Sequence, residues 1–219
     1  MQRNVANTVI GLVAFIALVL GLLIHKVLTP APMSQEQLSE NGLFVYDIPR
    51  RLAAFQLTDQ DGQPFTGERL KGRWSLLYFG YTYCPDICPV TMATLRQFQE
   101  QLAKVDADAA AQTQVVFISV DPARDTPEKL KQYVRYFGAD YQGATAEYID
   151  VFNLARQLNI AFAYVPQGDE GDYLVNHSGE VLLINPEGDF QGFFKFPQDP
   201  AKMVLTFRAL LQNWKAVKL

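Results

Sequence analysis

The only two cysteines of the chain, Cys84 and Cys88, lie four residues apart in the run YTYCPDICP at 81–89. An apolar run at 74–80 precedes them and apolar residues at helical spacing follow Pro89, so the pair lies on a strand-to-helix connection. Open α/β sheets bind ligands at such connections. We expect Pro89 to take the first helical position and Cys88 to lie at or beside the N-cap, where free backbone N–H groups favour a thiolate.

Two thiolates held this close need a compensating interaction. At roughly 4 Å they repel by about 4 kcal/mol at an effective dielectric near 20, and protonation, a disulfide or a bound cation relieves that repulsion. A purely structural disulfide explains little, because closing so short a loop contributes only about 2 kcal/mol. A redox disulfide stays open, since cysteine pairs at helix termini carry out thiol–disulfide exchange. The spacing, however, is C-x3-C rather than the C-x-x-C of thioredoxins.

One histidine lies in the predicted globular domain. His177 stands shortly before the apolar run at 181–184. In a thioredoxin-like sheet this connection lies against the cysteine loop, and a cis-proline on it normally faces the cysteines. The chain has no proline between Pro166 and Pro186, so we expect His177 to lie in that position instead. Two thiolates and one imidazole form a ligand set suited to copper, whereas a structural zinc site needs four protein ligands. A turn-capping role for His177 is the alternative without a metal.

Two carboxylates are candidates for supporting such a site without binding the metal. Asp86 stands between the cysteines and could tune their charge or contact a partner. Asp121 ends the predicted strand at 115–120, on the same edge of the sheet, where it could orient a ligand. The alternative for Asp86 is a solvated loop acid with no role at the site, and the alternative for Asp121 is a turn-forming Asp-Pro pair.

Residues 1–28 predict a membrane anchor. Val9–Ile24 contains no charged side chain, and the surrounding stretch is long enough to cross a bilayer core of about 30 Å with His25 and Lys26 at its far edge. A cleaved signal peptide is the alternative. Arg3 favours an orientation with the N-terminus inside.

A linker predicted at 29–46 leads into a globular domain predicted at 47–219. The patterns predict hairpins at 55–65, 161–175 and 181–194, buried strands at 74–80 and 115–120, and helices at 89–105, 127–137, 147–158 and 200–214. This order predicts an α/β fold with a thioredoxin-like domain, in which a central sheet has helices on both faces and inserted hairpins. A net charge of −4 without a Lys/Arg cluster argues against nucleic acid as a partner.

Three motifs in order along the chain resemble those of the SCO/SenC proteins: GYTYCPDICP at 80–89, SVDPARDTP at 119–127 and DYLVNHS at 172–178. The resemblance implies a membrane-tethered thioredoxin-like domain that binds copper, as Cu(I) or Cu(II), through Cys84, Cys88 and His177. It also implies a role in assembling the copper A centre of cytochrome c oxidase, by delivering copper, by reducing the cysteines of that centre, or both. Asn176 stands where many members carry Asp.

The resemblance favours a metallochaperone over an enzyme. In the alternative, a thiol–disulfide oxidoreductase, Cys84 and Cys88 are the catalytic redox pair. A peroxidase-like enzyme is disfavoured, because the chain lacks an upstream Pro-x-x-x-Thr-x-x-Cys pattern. The implied partners are the oxidase subunit that holds copper A, a copper-donating chaperone and the membrane. Without an Arg-rich presequence, we expect the bacterial inner membrane with the domain in the periplasm, rather than the mitochondrial inner membrane.

Overall fold

The structure is a computed structural model that describes residues 2–28, 33–168 and 172–217. The chain divides into two compact units, Met1–Pro32 and Met33–Leu219. The first unit holds one helix, α1 (Gln2–Leu28), along which apolar side chains such as Val9 and Phe15 are exposed. Among the described residues, no helix combines the length and the apolar character that crossing a membrane requires. The helix itself agrees with the sequence pattern, and the membrane anchor stays a prediction.

The second unit contains the elements that position the cysteines and His177. Its helices are α2 (Gln35–Glu40), α3 (Ile87–Val105), α4 (Ala107–Ala111), α5 (Pro127–Phe137), α6 (Tyr148–Gln157) and α7 (Pro200–Val217). Its strands are β1 (Leu43–Arg50), β2 (Gln56–Asp59), β3 (Pro64–Thr66), β4 (Trp74–Gly80), β5 (Thr113–Ser119), β6 (Gln142–Thr145), β7 (Phe162–Pro166), β8 (Tyr173–His177), β9 (Val181–Ile184) and β10 (Phe190–Phe194).

Eight of these strands form one sheet in the order β1-β10-β9-β4-β5-β6-β2-β3, and β7 and β8 form a separate two-stranded sheet. Strand β5 pairs in parallel with β4 and β6, and the other neighbours are antiparallel. Both β4 and β5 consist entirely of buried residues, as expected for parallel strands covered on both faces. The α/β, thioredoxin-like fold predicted from the sequence is confirmed.

Helices α3 and α7 pack together through an aromatic cluster. Phe207 of α7 lies edge-on to Trp74 and to Phe98, with ring centroids 5.7 Å apart in both pairs. All three side chains are buried. Burial of a large apolar side chain stabilises a fold by about 1.5–3 kcal/mol, so this cluster holds α3, and with it the cysteine at its N-terminus, against the sheet.

Residues 33–46 differ from the linker predicted at 29–46, of which 29–32 lie outside the described residues. Helix α2 begins after Ser34, whose side chain accepts a hydrogen bond from Gln37 N in a capping box. Strand β1 then pairs with β10, and Leu43, opposite Phe194, is fully buried. The local composition did not indicate this pairing, because the partner strand lies near the other end of the chain.

Helix α3 begins two residues before the predicted start. Asp86 is its N-cap residue and Ile87 its first residue, so Cys88 lies inside the first turn and Pro89 is not the first helical residue. Proline is tolerated there because the first N–H groups of a helix have no partner within the helix. Cys88 therefore keeps the helix N-terminal environment that the sequence predicts.

The hairpin β7–β8 places His177 beside the sheet. Phe162 pairs with His177 and Pro166 with Tyr173 across the hairpin. At its base, Ser178 N donates a hydrogen bond to Ala161 O at 2.9 Å. His177 is thus the last residue of β8, close to the point where the chain enters β9.

Candidate metal centre

Cys84, Cys88 and His177 come together at one edge of the sheet, beyond the end of β4 and at the start of α3. One ligand atom from each residue lies within 4.8 Å of the others. Cys88 Sγ is 3.3 Å from His177 Nε2. Both cysteines are free. Among the described residues, these three form the group of His, Cys, Asp or Glu side chains that could hold a metal ion.

A buried carboxylate holds the loop that carries Cys84. Asp125, which follows β5, accepts hydrogen bonds from Thr82 N at 2.9 Å and Thr82 Oγ1 at 2.6 Å. It also accepts one from Ser119 Oγ at 2.6 Å. Cys84 N donates to Tyr81 O at 3.2 Å, which closes a turn in the same loop. Hydrogen bonds to a charged group contribute about 1.5–3 kcal/mol each, so the segment after β5 sets the position of the cysteine loop.

The two cysteines differ in exposure. Cys88 is fully buried, whereas Cys84 is partly exposed. Gly80, the last residue of β4, leaves the space that Cys88 occupies, because a Cβ on Gly80 would lie 2.7 Å from Cys88 Sγ. Tyr78 OH donates a long hydrogen bond of 3.8 Å to the same sulfur. The pair therefore has an inner sulfur fixed by packing and an outer sulfur that solvent or a partner can reach.

The imidazole of His177 presents Nε2 to the cysteines. Its Nδ1 lies 2.9 Å from the carbonyl oxygen of Ser178. A carbonyl only accepts hydrogen bonds, so this contact places the proton on Nδ1 and leaves the lone pair of Nε2 free for a metal. The rings of Tyr78 and Tyr81 lie edge-on to the imidazole, with centroids 5.9 and 6.0 Å away. The tautomer and the ring orientation both suit metal ligation.

The two thiols have opposite pKa shifts. The Cys88 thiol hydrogen-bonds to the sulfur of Cys84 and lowers the pKa of Cys84 to about 4, against the effect of partial burial and together with the backbone N–H groups of Asp86 and Cys88. Burial raises the pKa of the Cys88 thiol and that of the neighbouring Tyr78 hydroxyl. The thiolate predicted on Cys88 from its position at the helix N-terminus is therefore wrong for the metal-free site, because burial outweighs the effect of the free N–H groups. At neutral pH the metal-free site thus carries a thiolate on Cys84 and a proton on Cys88, and a metal that binds both sulfurs displaces that proton.

The donor set fits copper better than zinc. Thiolates are soft ligands that select Cu(I), and imidazole also binds copper. A closed structural zinc site would need a fourth protein ligand. Ligand atoms around a three-coordinate ion with bonds of about 2.0–2.3 Å stand roughly 3.5–4.0 Å apart. The three ligand atoms lie within 4.8 Å of one another, so side-chain movements of about one ångström bring all three within bonding distance of one metal ion.

The two carboxylates predicted to support the site have different surroundings. Asp86 is exposed, and its side chain makes no capping hydrogen bond to α3. Asp121 is fully buried and accepts hydrogen bonds from Tyr173 OH at 2.7 Å and from Arg124 Nε. Asp121 therefore contacts the hairpin that carries His177 rather than the ligand atoms. A role for either carboxylate toward the metal stays a prediction.

Two residues near the site are absent from the candidates chosen from the sequence. Asp125 holds the cysteine loop, and Arg124 lies between that loop and β8. Both belong to the motif SVDPARDTP at 119–127, which carries part of the family resemblance and a predicted helix start. The signal that could have identified them was the position of this motif directly after the predicted strand at 115–120, at the same edge of the sheet as the cysteine motif.

The SCO1/SenC family model matches residues 49–212, which is most of the chain. The chain belongs to the SCO1/SenC family. The match confirms the resemblance carried by the three motifs, all of which lie inside the matched range. A SCO2-like protein of Rickettsia conorii is 31% identical over 203 residues, which cover 92% of this chain and 97% of the relative.

Solved structures of SCO1/SenC relatives share this fold. Yeast Sco1 with copper bound has a TM-score of 0.67 and 33% identity, and the match covers 75% of this chain and 90% of that one. BsSco, described as a member of the Sco family of cytochrome c oxidase assembly proteins with a disulfide switch, has a TM-score of 0.58 over 75% and 96% of the two chains. At 21% identity, BsSco supports the fold alone. Copper is thus the metal bound in a solved relative with the same fold.

Proposed function

We propose that this protein is a copper metallochaperone that binds copper through Cys84, Cys88 and His177 and assists assembly of the copper A centre of cytochrome c oxidase. The observation that carries the proposal is the 3.3 Å approach of His177 Nε2 to Cys88 Sγ, with Cys84 in the same group of ligand atoms. The copper bound to yeast Sco1, which is 33% identical to this chain, supports copper binding by the same fold.

The exposure of Cys84 suits transfer of the metal. Cys88 holds the copper from the buried side, whereas the outer sulfur of Cys84 is accessible to an approaching partner. Three protein donors leave room for an incoming soft ligand, so the copper passes to the partner by ligand exchange. Because the pKa of Cys84 is about 4, this sulfur is available as a thiolate throughout the neutral range.

The proposal includes a place in the cell and two protein partners. Residues 1–28 anchor the chain in the bacterial inner membrane, and the domain works in the periplasm. The uncharged stretch Val9–Ile24 and the exposed apolar side chains along α1 support this anchor. The partners are a chaperone that donates copper and the oxidase subunit that receives it at copper A.

Copper titration of the full chain tests the ligand set. We expect one Cu(I) per reduced chain, and loss of tight binding once Cys84 and Cys88 are oxidised to a disulfide. His177→Ala should lower the affinity at least about tenfold, because it removes one of three donors. His25→Ala is the matched control, since it removes the other histidine of the chain, outside the globular domain. Equal affinity of the His177→Ala variant and the unmodified chain would contradict the proposal.

The opposite pKa shifts of the cysteines favour a second candidate function, a thiol–disulfide reductase. The Cys84 thiolate attacks a disulfide of the oxidase subunit, forms a mixed disulfide and releases one partner thiolate. Cys88, once deprotonated, attacks the Cys84 sulfur, releases the second partner thiolate and leaves a Cys84–Cys88 disulfide. Two electrons pass to the partner, and the chain's dithiol is the reductant.

The His177→Ala variant separates the two functions. A chaperone loses copper affinity in this variant, whereas a reductase that uses only Cys84 and Cys88 keeps its rate of disulfide exchange. The measurement is the rate at which the reduced full chain reduces a disulfide-bonded peptide carrying the cysteines of the copper A site. If the His177→Ala variant loses disulfide exchange and keeps its copper affinity, both functions are contradicted: His177 is then not a copper ligand, and exchange does not depend on Cys84 and Cys88 alone.

A further inference from the structure

The hairpin β7–β8 carries His177 but is not hydrogen-bonded into the eight-stranded sheet. Its tyrosines instead reach the segment that follows β5. Tyr164 OH donates to Val120 O at 2.8 Å, and Tyr173 OH donates to Asp121 Oδ1 at 2.7 Å. Aromatic rings of α6 pack against β7, but these contacts are apolar and less directional. The position of this hairpin relative to the eight-stranded sheet therefore depends on side-chain contacts and not on a strand ladder that joins the two sheets.

Arg124 makes two kinds of contact with β8. Its Nη1 donates to Tyr173 O at 2.9 Å, and its Cζ lies 3.7 Å from the centre of the Tyr173 ring. Its Nε donates to the buried carboxylate of Asp121, which also accepts from Tyr173 OH. The planar guanidinium is thus both stacked on and hydrogen-bonded to β8, a combination that a lysine ammonium cannot reproduce.

The same guanidinium faces the cysteine loop. Its Cζ lies 5.2 Å from the ring centre of Tyr83 and 5.6 Å from that of Tyr81, within the range of cation–π attraction. Tyr83 directly precedes Cys84, and the Tyr81 ring lies edge-on to the imidazole of His177. Arg124 therefore contacts both segments that carry the ligands.

We propose that Arg124 is a positioning residue that keeps β8 against the cysteine loop, so that His177 Nε2 stays within reach of the two sulfurs. Arg124 does not touch the ligand atoms itself; it acts through Tyr173 and through the loop tyrosines. This inference rests on the proposed copper function. Partners that orient metal ligands typically change metal affinity by about 10–100-fold when they are removed.

Arg124→Met in the full chain tests the inference, because methionine keeps an unbranched apolar chain and removes the charge and the hydrogen bonds. We expect Cu(I) affinity, measured by competition with a chromophoric chelator, to fall about 10–100-fold. In the Cu(II) form, we expect the nitrogen hyperfine coupling of His177 in the electron paramagnetic resonance spectrum to weaken. Arg124→Lys should give an intermediate affinity. Arg96→Met is the matched control, since Arg96 is exposed on α3 and pairs only at 3.7 Å with Glu100.

A double variant decides whether Arg124 acts through His177. If it does, adding Arg124→Met to His177→Ala lowers copper affinity no further. If Arg124→Met lowers copper affinity in the His177→Ala background as much as it does in the unmodified chain, the inference is overturned. An Arg124→Met variant with unchanged copper affinity and an unchanged spectrum also overturns it. Should Arg124→Met fail to fold, Tyr173→Phe replaces it, since this change removes only the hydroxyl contact with Asp121 and should weaken the same nitrogen coupling. An unchanged affinity in His177→Ala alone contradicts the proposed function and is a separate result.

Discussion

Replacement of Gly80 by alanine tests whether close packing behind Cys88 sets the geometry of the site. A Cβ at position 80 would lie 2.7 Å from Cys88 Sγ and 2.9 Å from Phe117 Cε2. Non-bonded heavy atoms pack at about 3.5–4.0 Å, so the sulfur and the ring edge must withdraw by roughly 0.6–0.8 Å. Both side chains are fully buried, and a close-packed interior resists such a displacement.

We expect Gly80→Ala to lower the free energy of unfolding by about 1–3 kcal/mol, the usual effect of overpacking a core. The displaced Cys88 sulfur also changes its distance to His177 Nε2, which is 3.3 Å in the structure. We therefore expect Cu(I) affinity to fall about tenfold, which corresponds to about 1.4 kcal/mol. The assays are denaturant unfolding of the metal-free chain and chelator competition for copper.

Gly67→Ala is the control for this experiment, because its Cβ would meet Phe55 Cε1 at 3.7 Å, an ordinary contact. Its stability should stay within about 0.5 kcal/mol of the unmodified chain. Adding Cys88→Ala to Gly80→Ala should recover part of the stability that Gly80→Ala loses, since the clashing sulfur is gone. An unchanged unfolding midpoint together with unchanged copper affinity in Gly80→Ala would refute the reasoning.

The low pKa of Cys84 and the support of its loop give two further predictions. Alkylation of metal-free Cys84 by iodoacetamide should keep its rate as the pH falls from about 9 to about 5 and decline only near the pKa of about 4, because the thiolate persists across that range. Cys88→Ala removes the largest cause of the low pKa and should move the decline toward the ordinary pKa; a decline near pH 9 in the unmodified chain contradicts the assignment. Asp125→Ala leaves three donors from Thr82 and Ser119 without their acceptor and should lower the free energy of unfolding by about 2–4 kcal/mol. Denaturant unfolding measures the stability of Asp125→Ala and of the control Asp86→Ala, which lies at an exposed site. Equal free energies of unfolding for the two variants would show that the Asp125 carboxylate does not hold the loop.

The sequence predicted the elements whose burial pattern is local. The apolar runs at 74–80 and 181–184 match β4 and β9, and the final helix begins at the predicted Pro200. Strand β1 was missed, because it forms only through pairing with β10. The predicted start of α3 was two residues too late, since proline is tolerated throughout the first turn and Pro89 therefore does not mark the first helical residue.

The sequence by itself determined the available chemistry: two thiols on a strand-to-helix connection, one imidazole in the globular domain, and motifs that resemble the SCO/SenC proteins. Only the tertiary structure decided that these groups meet. Cys88 and His177 are 89 residues apart, yet their ligand atoms approach to 3.3 Å. That distance depends on how Asp121, Arg124 and Tyr173 hold the hairpin against the sheet. No local pattern specifies such contacts, because each one joins segments that are neighbours only in the folded chain.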